Sequence, residues 1–101
     1  MSVIIMLQFV YTLQIGAAKH GNNGAWIRRD IVIEDRLHRV TVKFWNEMSR
    51  LLENVRTGVT IRIKNLSTHV FHNVVFLDST DQTSLEMVSI YALIMSVIID
   101  S

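Results

Sequence analysis

The stretch Arg39-Val40-Thr41-Val42-Lys43-Phe44-Trp45 decides the fold. Side chains on a β-strand point alternately to opposite faces, so Val40, Val42 and Phe44 share one face and predict a strand that packs on a core. The other face carries two cations, a threonine and Trp45. A binding face for single-stranded nucleic acid combines these features, because cations neutralise phosphates and a flat ring stacks on bases. Taken alone, a tryptophan at a strand end is more often a partly buried packing residue.

Two further strands are predicted before this stretch. Residues 3–15 are almost continuously apolar and rich in β-branched and aromatic side chains, which favours a long first strand. Residues 16–24 are rich in turn formers, and Asn22-Asn23-Gly24 suits the positive φ angles of a tight turn. Residues 26–34 then alternate as a second strand, and residues 35–38 turn into the strand that ends at Trp45.

A short helix and more strands are predicted after it. Asn46 is a candidate N-cap, apolar residues recur at helical spacing as far as Val55, and Gly58 is a candidate C-terminal cap, so we expect a helix of two to three turns. Residues 59–66 alternate again and predict another strand. They are followed by a predicted turn at 67–69, a strand at 70–77, a polar loop at 78–82 and a last short strand at 83–88.

This order predicts an all-β protein with a five-stranded OB-fold barrel over residues 1–88, in which one short helix separates the third and fourth strands. A small barrel pairs its strand edges, so a chain this rich in β-branched residues can avoid aggregation. Residues 89–101 form an apolar C-terminal tail, which we expect to be helical or extended. The tail either packs over the end of the barrel or binds a protein partner or a second copy.

Composition and charge limit the function classes. The chain has 101 residues, 50% of them apolar and 19% charged, which indicates one folded domain. It contains no cysteine, so disulfides and thiolate metal sites are excluded. The net charge of +1 hides an asymmetry, because residues 28–64 hold nine of the ten Lys and Arg residues against five acids. A basic middle segment is typical of a chain that meets a polyanion.

No segment indicates a membrane protein or an enzyme. The first seven residues lack the basic flank and cleavage site of a signal peptide, and the apolar run 88–99 is shorter than the ~20 residues that cross a bilayer. His69 and His72 are three residues apart without a third ligand, so we predict no metal and no cofactor. The sequence contains no recognisable nucleophile–base pair and no glycine-rich phosphate loop in a strand–loop–helix context.

Three segments resemble the DNA-binding OB domains in the large subunit of replication protein A. In that family a basic residue precedes a strand ending in aspartate, the next strand ends in tryptophan, and another strand follows the barrel helix. The matching segments are Arg29-Asp30-Ile31-Val32-Ile33-Glu34-Asp35, Val40-Thr41-Val42-Lys43-Phe44-Trp45 and Gly58-Val59-Thr60-Ile61-Arg62-Ile63-Lys64-Asn65. Phe71 falls where the hairpin of the family carries a second stacking aromatic, although the family usually has glycines where this chain has His72-Asn73.

The resemblance implies that single-stranded DNA lies across the open face of the barrel, in DNA replication, repair or recombination, with a nuclear location. Trp45 and Phe71 would each stack on a base. Five cations would neutralise phosphates or bind bases: Arg28, Arg39, Lys43, Arg62 and Lys64. RNA is an alternative ligand, since the groove accepts either. The alternative from another class is an OB-fold scaffold for protein–protein interaction, which the low net charge and the acidic C-terminal half favour.

Overall fold

A computed structural model of the chain describes residues 3–36 and 38–88, so the predicted tail at 89–101 lies outside the described residues. The described residues are mostly β. Their strands are β1 (Ile4–Ile15), β2 (Lys19–His20), β3 (Ile27–Asp35), β4 (His38–Trp45), β5 (Thr60–Phe71) and β6 (Val74–Met87). Two 3-10 helices, Asn22–Gly24 and Asn46–Leu52, follow β2 and β4. No helix in this part of the chain is long and apolar enough to span a bilayer.

The five long strands close into a ring. β1 pairs antiparallel with β3 and with β5, β3 pairs antiparallel with β4, and β5 pairs antiparallel with β6. A parallel seam between β4 and β6 completes the ring through the register pairs Val42–Leu77 and Lys43–Asp78. The short β2 only extends the edge beside β3. The predicted order of three strands, a short helix and further strands is therefore confirmed, and so is the all-β class.

The inward side chains of every long strand form one core. Val42 and Phe44 are fully buried and Val40 packs against them, which confirms the core face predicted for the stretch 39–45. The remaining buried apolar residues are Val10, Ile31, Ile33, Leu52, Val55, Ile61, Ile63, Leu66 and Leu77. Because this core fixes which residues of β3, β4 and β6 point inward, it also fixes which ones form the outer surface.

The helix after β4 differs from the prediction. It is a 3-10 helix over Asn46–Leu52 and not an α-helix of two to three turns. Trp45 occupies the N-cap position, while Asn46 lies inside the helix with φ 52°. The side chain of Asn46 instead accepts a hydrogen bond from the Ile27 backbone N–H through Oδ1 at 3.1 Å. Asn46 therefore ties the end of β4 to the start of β3.

β5 and β6 form one long hairpin, so the turn predicted at 67–69 and the loop predicted at 78–82 were wrong. The turn lies at His72 and Asn73, whose φ angles are 50° and 63°. Two consecutive left-handed residues are typical of a type I′ hairpin turn. Sequence reasoning missed it because the turn contains neither glycine nor proline. The polar residues that resembled a turn, Ser67, Thr68 and His69, lie inside β5.

A wide bulge interrupts this hairpin. The register passes from Lys64 opposite Ser84 to Leu66 opposite Ser79, so that four residues of β6 stand opposite Asn65 alone. The Asn65 carbonyl oxygen accepts hydrogen bonds from Thr80 Oγ1 at 2.9 Å and Thr83 Oγ1 at 2.8 Å. Threonine hydroxyls thus replace the ladder bonds that the bulge removes. The half of the hairpin beyond the bulge is the half that pairs with β4.

Candidate nucleic-acid interface

The outward residues of β3, β4 and the first part of β6 form one surface with the hairpin tip and Trp26, here called the platform face. Strand pairing places Arg28 opposite Trp45 and Asp30 opposite Lys43, and it places Lys43 next to Asp78 on β6. The cross-strand pairs His69–Phe76 and Phe71–Val74 continue the surface towards the hairpin turn. The platform face comprises Trp26, Arg28, Asp30, Arg39, Lys43, Trp45, His69, Phe71, Phe76 and Asp78.

Trp45 stands at one end of the platform face in a fixed orientation. Its ring is half-buried, and Nε1 donates a hydrogen bond to Asp78 Oδ1 at 2.9 Å. Its backbone N–H donates to Ser79 Oγ at 2.8 Å. The ring of Trp26 meets it edge-on, with 5.5 Å between the ring centroids. The indole is therefore neither sunk in the core nor free to rotate, which is the state required of a preorganised stacking surface.

Arg28 and Trp26 support Trp45. The Arg28 guanidinium lies 5.4 Å from the Trp45 centroid and 5.9 Å from the Trp26 centroid, within the range of cation–π attraction. Arg28 Nε also pairs with Asp30 Oδ1 at 2.9 Å, and its side chain is 19% exposed. Because Arg28 is already paired and largely covered, its main contribution is to hold the two indoles and not to meet a phosphate.

The centre of the platform face contains residues that sequence analysis did not select. The ring of His69 stacks on Phe76 with 5.4 Å between centroids, and His69 Nδ1 pairs with Asp78. Lys43 Nζ lies 4.2 Å from the Phe76 centroid. Phe76 and Asp78 alternate with the buried Leu77, and this pattern was the available signal. The sequence could not place them, because their position depends on the parallel pairing of β6 with β4.

Phe71 lies at the hairpin tip, 59% exposed, with its ring edge-on to His72 at 4.1 Å between centroids. Extending the β4–β6 register brings its cross-strand partner Val74 level with Arg39. Arg39 and Trp45 are six residues apart on β4, a separation of about 20 Å at the rise of a β-strand. The platform face thus has an aromatic residue at each end and Phe76 between them.

The predicted cations fall into two groups. Arg28, Arg39 and Lys43 lie on the platform face, where Arg39 Nε is 3.3 Å from Glu34 Oε2. Arg62 and Lys64 lie on β5 before the bulge, where they line a depression with residues 84–86 of β6 and Arg62 pairs with Glu86. The structure therefore places Trp45, Phe71 and three of the five cations on the platform face, and it places the other two cations on the opposite side of the bulge.

Acidic side chains moderate the charge of the platform face. Asp30 pairs with Arg28 and with Lys19, whose Nζ is 3.7 Å from Asp30 Oδ2, while Asp78 holds Trp45 and His69. The Arg39–Glu34 pair is exposed, and exposed pairs contribute only ~0–1 kcal/mol, so Arg39 can exchange its partner for a phosphate at little cost. Among the described residues, no three His, Cys, Asp or Glu side chains are placed to hold a metal ion.

Comparison with known proteins identifies the fold. No family model matches the sequence, and no curated protein matches it. The solution NMR structure of a replication factor A related protein from Methanobacterium thermoautotrophicum matches with a TM-score of 0.74 and 18% identity, over 86% of this chain and 82% of that chain. The crystal structure of the tetrameric p202 HIN2 matches with a TM-score of 0.63 and 18% identity, over 88% of this chain and 43% of that chain. The ring is thus an OB-fold like that of the replication factor A related protein.

Proposed function

We propose that this protein binds single-stranded DNA on the platform face, largely without regard to sequence, in DNA replication, repair or recombination. Bases stack on Trp45 and Phe71, and phosphates are neutralised by Lys43 and Arg39. OB-folds bind oligonucleotides on the face of their second and third strands, between the loops that follow the first and fourth strands. In this chain those parts are β3, β4, residues 16–26 and the hairpin tip. A nuclear location is part of the same proposal.

The observation that carries the proposal is the line of aromatic rings beside cations on that face. Trp45, Phe76 and Phe71 follow one another along β4 and the hairpin, and the Lys43 ammonium lies over the middle ring. Each base that stacks on an aromatic side chain contributes ~1–3 kcal/mol, and every base has a ring face. Two or three such contacts are enough for binding that depends little on sequence.

Charge contributes less here than in strongly basic binding proteins. Arg39 and Lys43 are the cations best placed to meet phosphates, since Arg28 is held by Asp30. Each phosphate neutralised on a single strand changes the slope of log K against log salt by about −0.7. We therefore expect a slope of about −1.4, the value for two phosphate contacts, which is shallower than for a site that uses all five predicted cations.

A titration of fluorescent oligothymidine, followed by anisotropy at two salt concentrations, tests the proposal. The informative comparison is Arg39→Glu/Lys43→Glu against Arg62→Glu/Lys64→Glu, since both double variants change the net charge by the same amount. We expect the first pair to weaken binding at least ~10-fold more than the second, because only the first lies beside the aromatic residues. Equal losses from both pairs would contradict a site on the platform face. The same titration with oligouridine compares RNA with DNA.

The second candidate function is a protein–protein interaction scaffold. One observation favours it: Val70, Phe71, Val74 and Val75 at the hairpin tip are all more than half exposed. Residues 69–76 also contain no Lys, Arg, Asp or Glu, and exposed, uncharged strands are common interaction surfaces. Sedimentation of the parent and of a Val70→Lys/Val75→Lys variant tests this function. Association in the parent that the variant abolishes, with no oligonucleotide binding by the parent at low salt, would favour the scaffold.

A further inference from the structure

A cavity of about 410 Å³ opens directly beside Trp45, between the start of the 3-10 helix Asn46–Leu52 and residues 79–81 of β6. Trp45 and Met48 are among the residues that line it, and Met48 contributes apolar surface. Its volume lies in the range of small-molecule pockets. Because Trp45 belongs to both the cavity and the platform face, a strand whose base reaches this ring also reaches the cavity.

Some polar side chains of the cavity already make hydrogen bonds within the protein, and others do not. Ser79 Oγ accepts from the Trp45 backbone, and Thr80 Oγ1 donates to the Asn65 carbonyl. The carboxylates of Glu47 and Asp81 are exposed, and among the described residues neither has a hydrogen-bond or ion-pair partner. None of the described residues that line the cavity is Lys, Arg or His.

This charge pattern decides what part of a nucleotide enters. Two carboxylates without a cation repel phosphate, so the backbone lies outside, along Lys43 and Arg39. A carboxylate accepts hydrogen bonds, and the exocyclic amino group of cytosine is the donor that Asp and Glu recognise on that base. That amino group offers two N–H donors to the two carboxylates. Thymine and uracil carry a carbonyl oxygen at the same ring position, which carboxylates repel, and they offer only one donor on this edge, N3–H, so the cavity disfavours them.

We propose that this cavity is a base-reading pocket in which Glu47 and Asp81 select a nucleobase bearing an exocyclic amino group over thymine or uracil. The inference rests on the proposed binding of single-stranded DNA and adds one selective position to an otherwise sequence-tolerant site. Trp45 supplies the stacking surface, Met48 the apolar contact, and the two carboxylates supply the acceptors that favour the amino group.

The test compares ten-nucleotide oligomers of deoxycytidine, deoxythymidine and deoxyuridine by anisotropy with the full chain at pH 7.5. Deoxyuridine lacks the methyl group of thymidine, so the cytidine-to-uridine ratio isolates the change at the base edge, where an amino group and an unprotonated N3 are replaced by a carbonyl oxygen and an N3–H. We expect the cytidine oligomer to bind about fivefold or more tightly than the other two. The ratio should fall to about one in a Glu47→Gln/Asp81→Asn variant, whose amides no longer offer two charged acceptors.

Glu53→Gln is the matched control. Glu53 is exposed and follows the same 3-10 helix, but it does not line the cavity. It removes a negative charge, so it can raise the affinity for all three oligomers, but it should leave their ratio unchanged. Equal binding of the cytidine and uridine oligomers by the parent would overturn the pocket and leave the proposed function intact. A preference that persists in the double variant would also overturn it, and failure of every oligomer to bind would overturn both proposals.

Discussion

Replacement of Phe71 by alanine should remove one stacked base without changing the charge of the protein. A base stacked on an aromatic side chain contributes ~1–3 kcal/mol, which corresponds to a 5- to 150-fold increase in Kd. The ring is 59% exposed and touches His72 edge-on, a contact worth about 0.5–1.5 kcal/mol to folding. The variant should therefore remain folded, with a melting temperature lowered by no more than about 10 °C.

The assay is fluorescence anisotropy with oligothymidine over a series of salt concentrations. Stacking releases no counterions, whereas each phosphate contact does. The plot of log K against log salt for Phe71→Ala should therefore run parallel to that of the parent and below it. Parallel displacement distinguishes a lost stacking contact from a displaced phosphate contact, which would change the slope.

Val70→Ala is the control, because Val70 precedes Phe71 on β5 and is 66% exposed but points to the other face of the hairpin. Its Kd should stay within about twofold of the parent value, as for an ordinary surface substitution. Equal Kd values for Phe71→Ala and the parent would refute the placement of a base at the hairpin tip. Equal losses for the two alanine variants would show that the hairpin acts through its stability and not through one ring.

Lys43→Glu should reduce the magnitude of the slope of log K against log salt by about 0.7, the value for one phosphate contact. Arg56 is an exposed cation in the turn before β5, and Arg56→Glu should leave the slope unchanged. Equal slopes for both variants would argue against a phosphate contact at Lys43. Gly21→Ala would place a Cβ 2.4 Å from Trp26 Nε1 and so displace the Trp26 ring from the Trp45 ring. The near-UV circular dichroism signal of the paired indoles should therefore fall. An unchanged spectrum would contradict the described packing of the two rings. Asn73→Ala should lower the free energy of unfolding by about 1–2 kcal/mol, because the φ angle of Asn73 is 63°, whereas Asn73→Gly should lower it little. Chemical denaturation measures both values. Equal losses for the two variants would argue against a left-handed conformation at residue 73.

Local pattern was enough to predict the part of the fold built from alternating strands. In β4, Val40, Val42 and Phe44 alternate with the other residues, and the structure buries Val42 and Phe44 and packs Val40 against the core. The outward position of Lys43 and Trp45 therefore followed from the sequence alone. The same reasoning failed for β5 and β6. Their turn depends on left-handed φ angles at His72 and Asn73, which no composition rule marks strongly. The polar segment 78–82 resembled a loop, but Thr80 and Thr83 donate hydrogen bonds to the Asn65 carbonyl oxygen at a bulge inside the hairpin.

The candidate site was predictable to the same extent. The alternation of its strand drew attention to Trp45, and the resemblance to the replication protein A domains drew attention to Phe71. The structure places both on the platform face. The sequence could not identify Phe76 or Asp78 as their neighbours, since that contact requires the parallel pairing of two strands more than thirty residues apart. It also grouped Arg62 and Lys64 with Lys43, because strand alternation tells which residues point outward but not which side of a closed ring they occupy.

The narrow seam between β4 and β6 has a consequence for how the molecule loosens. Two residue pairs and the hydrogen bonds of Trp45 to Ser79 and Asp78 hold the strands together there, while β5 and β6 pair along most of their length. Local opening of the native structure should start where the fewest hydrogen bonds must break, which is at this seam. A strand of DNA that contacts both Lys43 on β4 and Phe76 on β6 would hold the two strands of the seam together. Bound oligonucleotide should therefore slow hydrogen exchange at the amides of Val42 and Leu77 more than at those between β1 and β5.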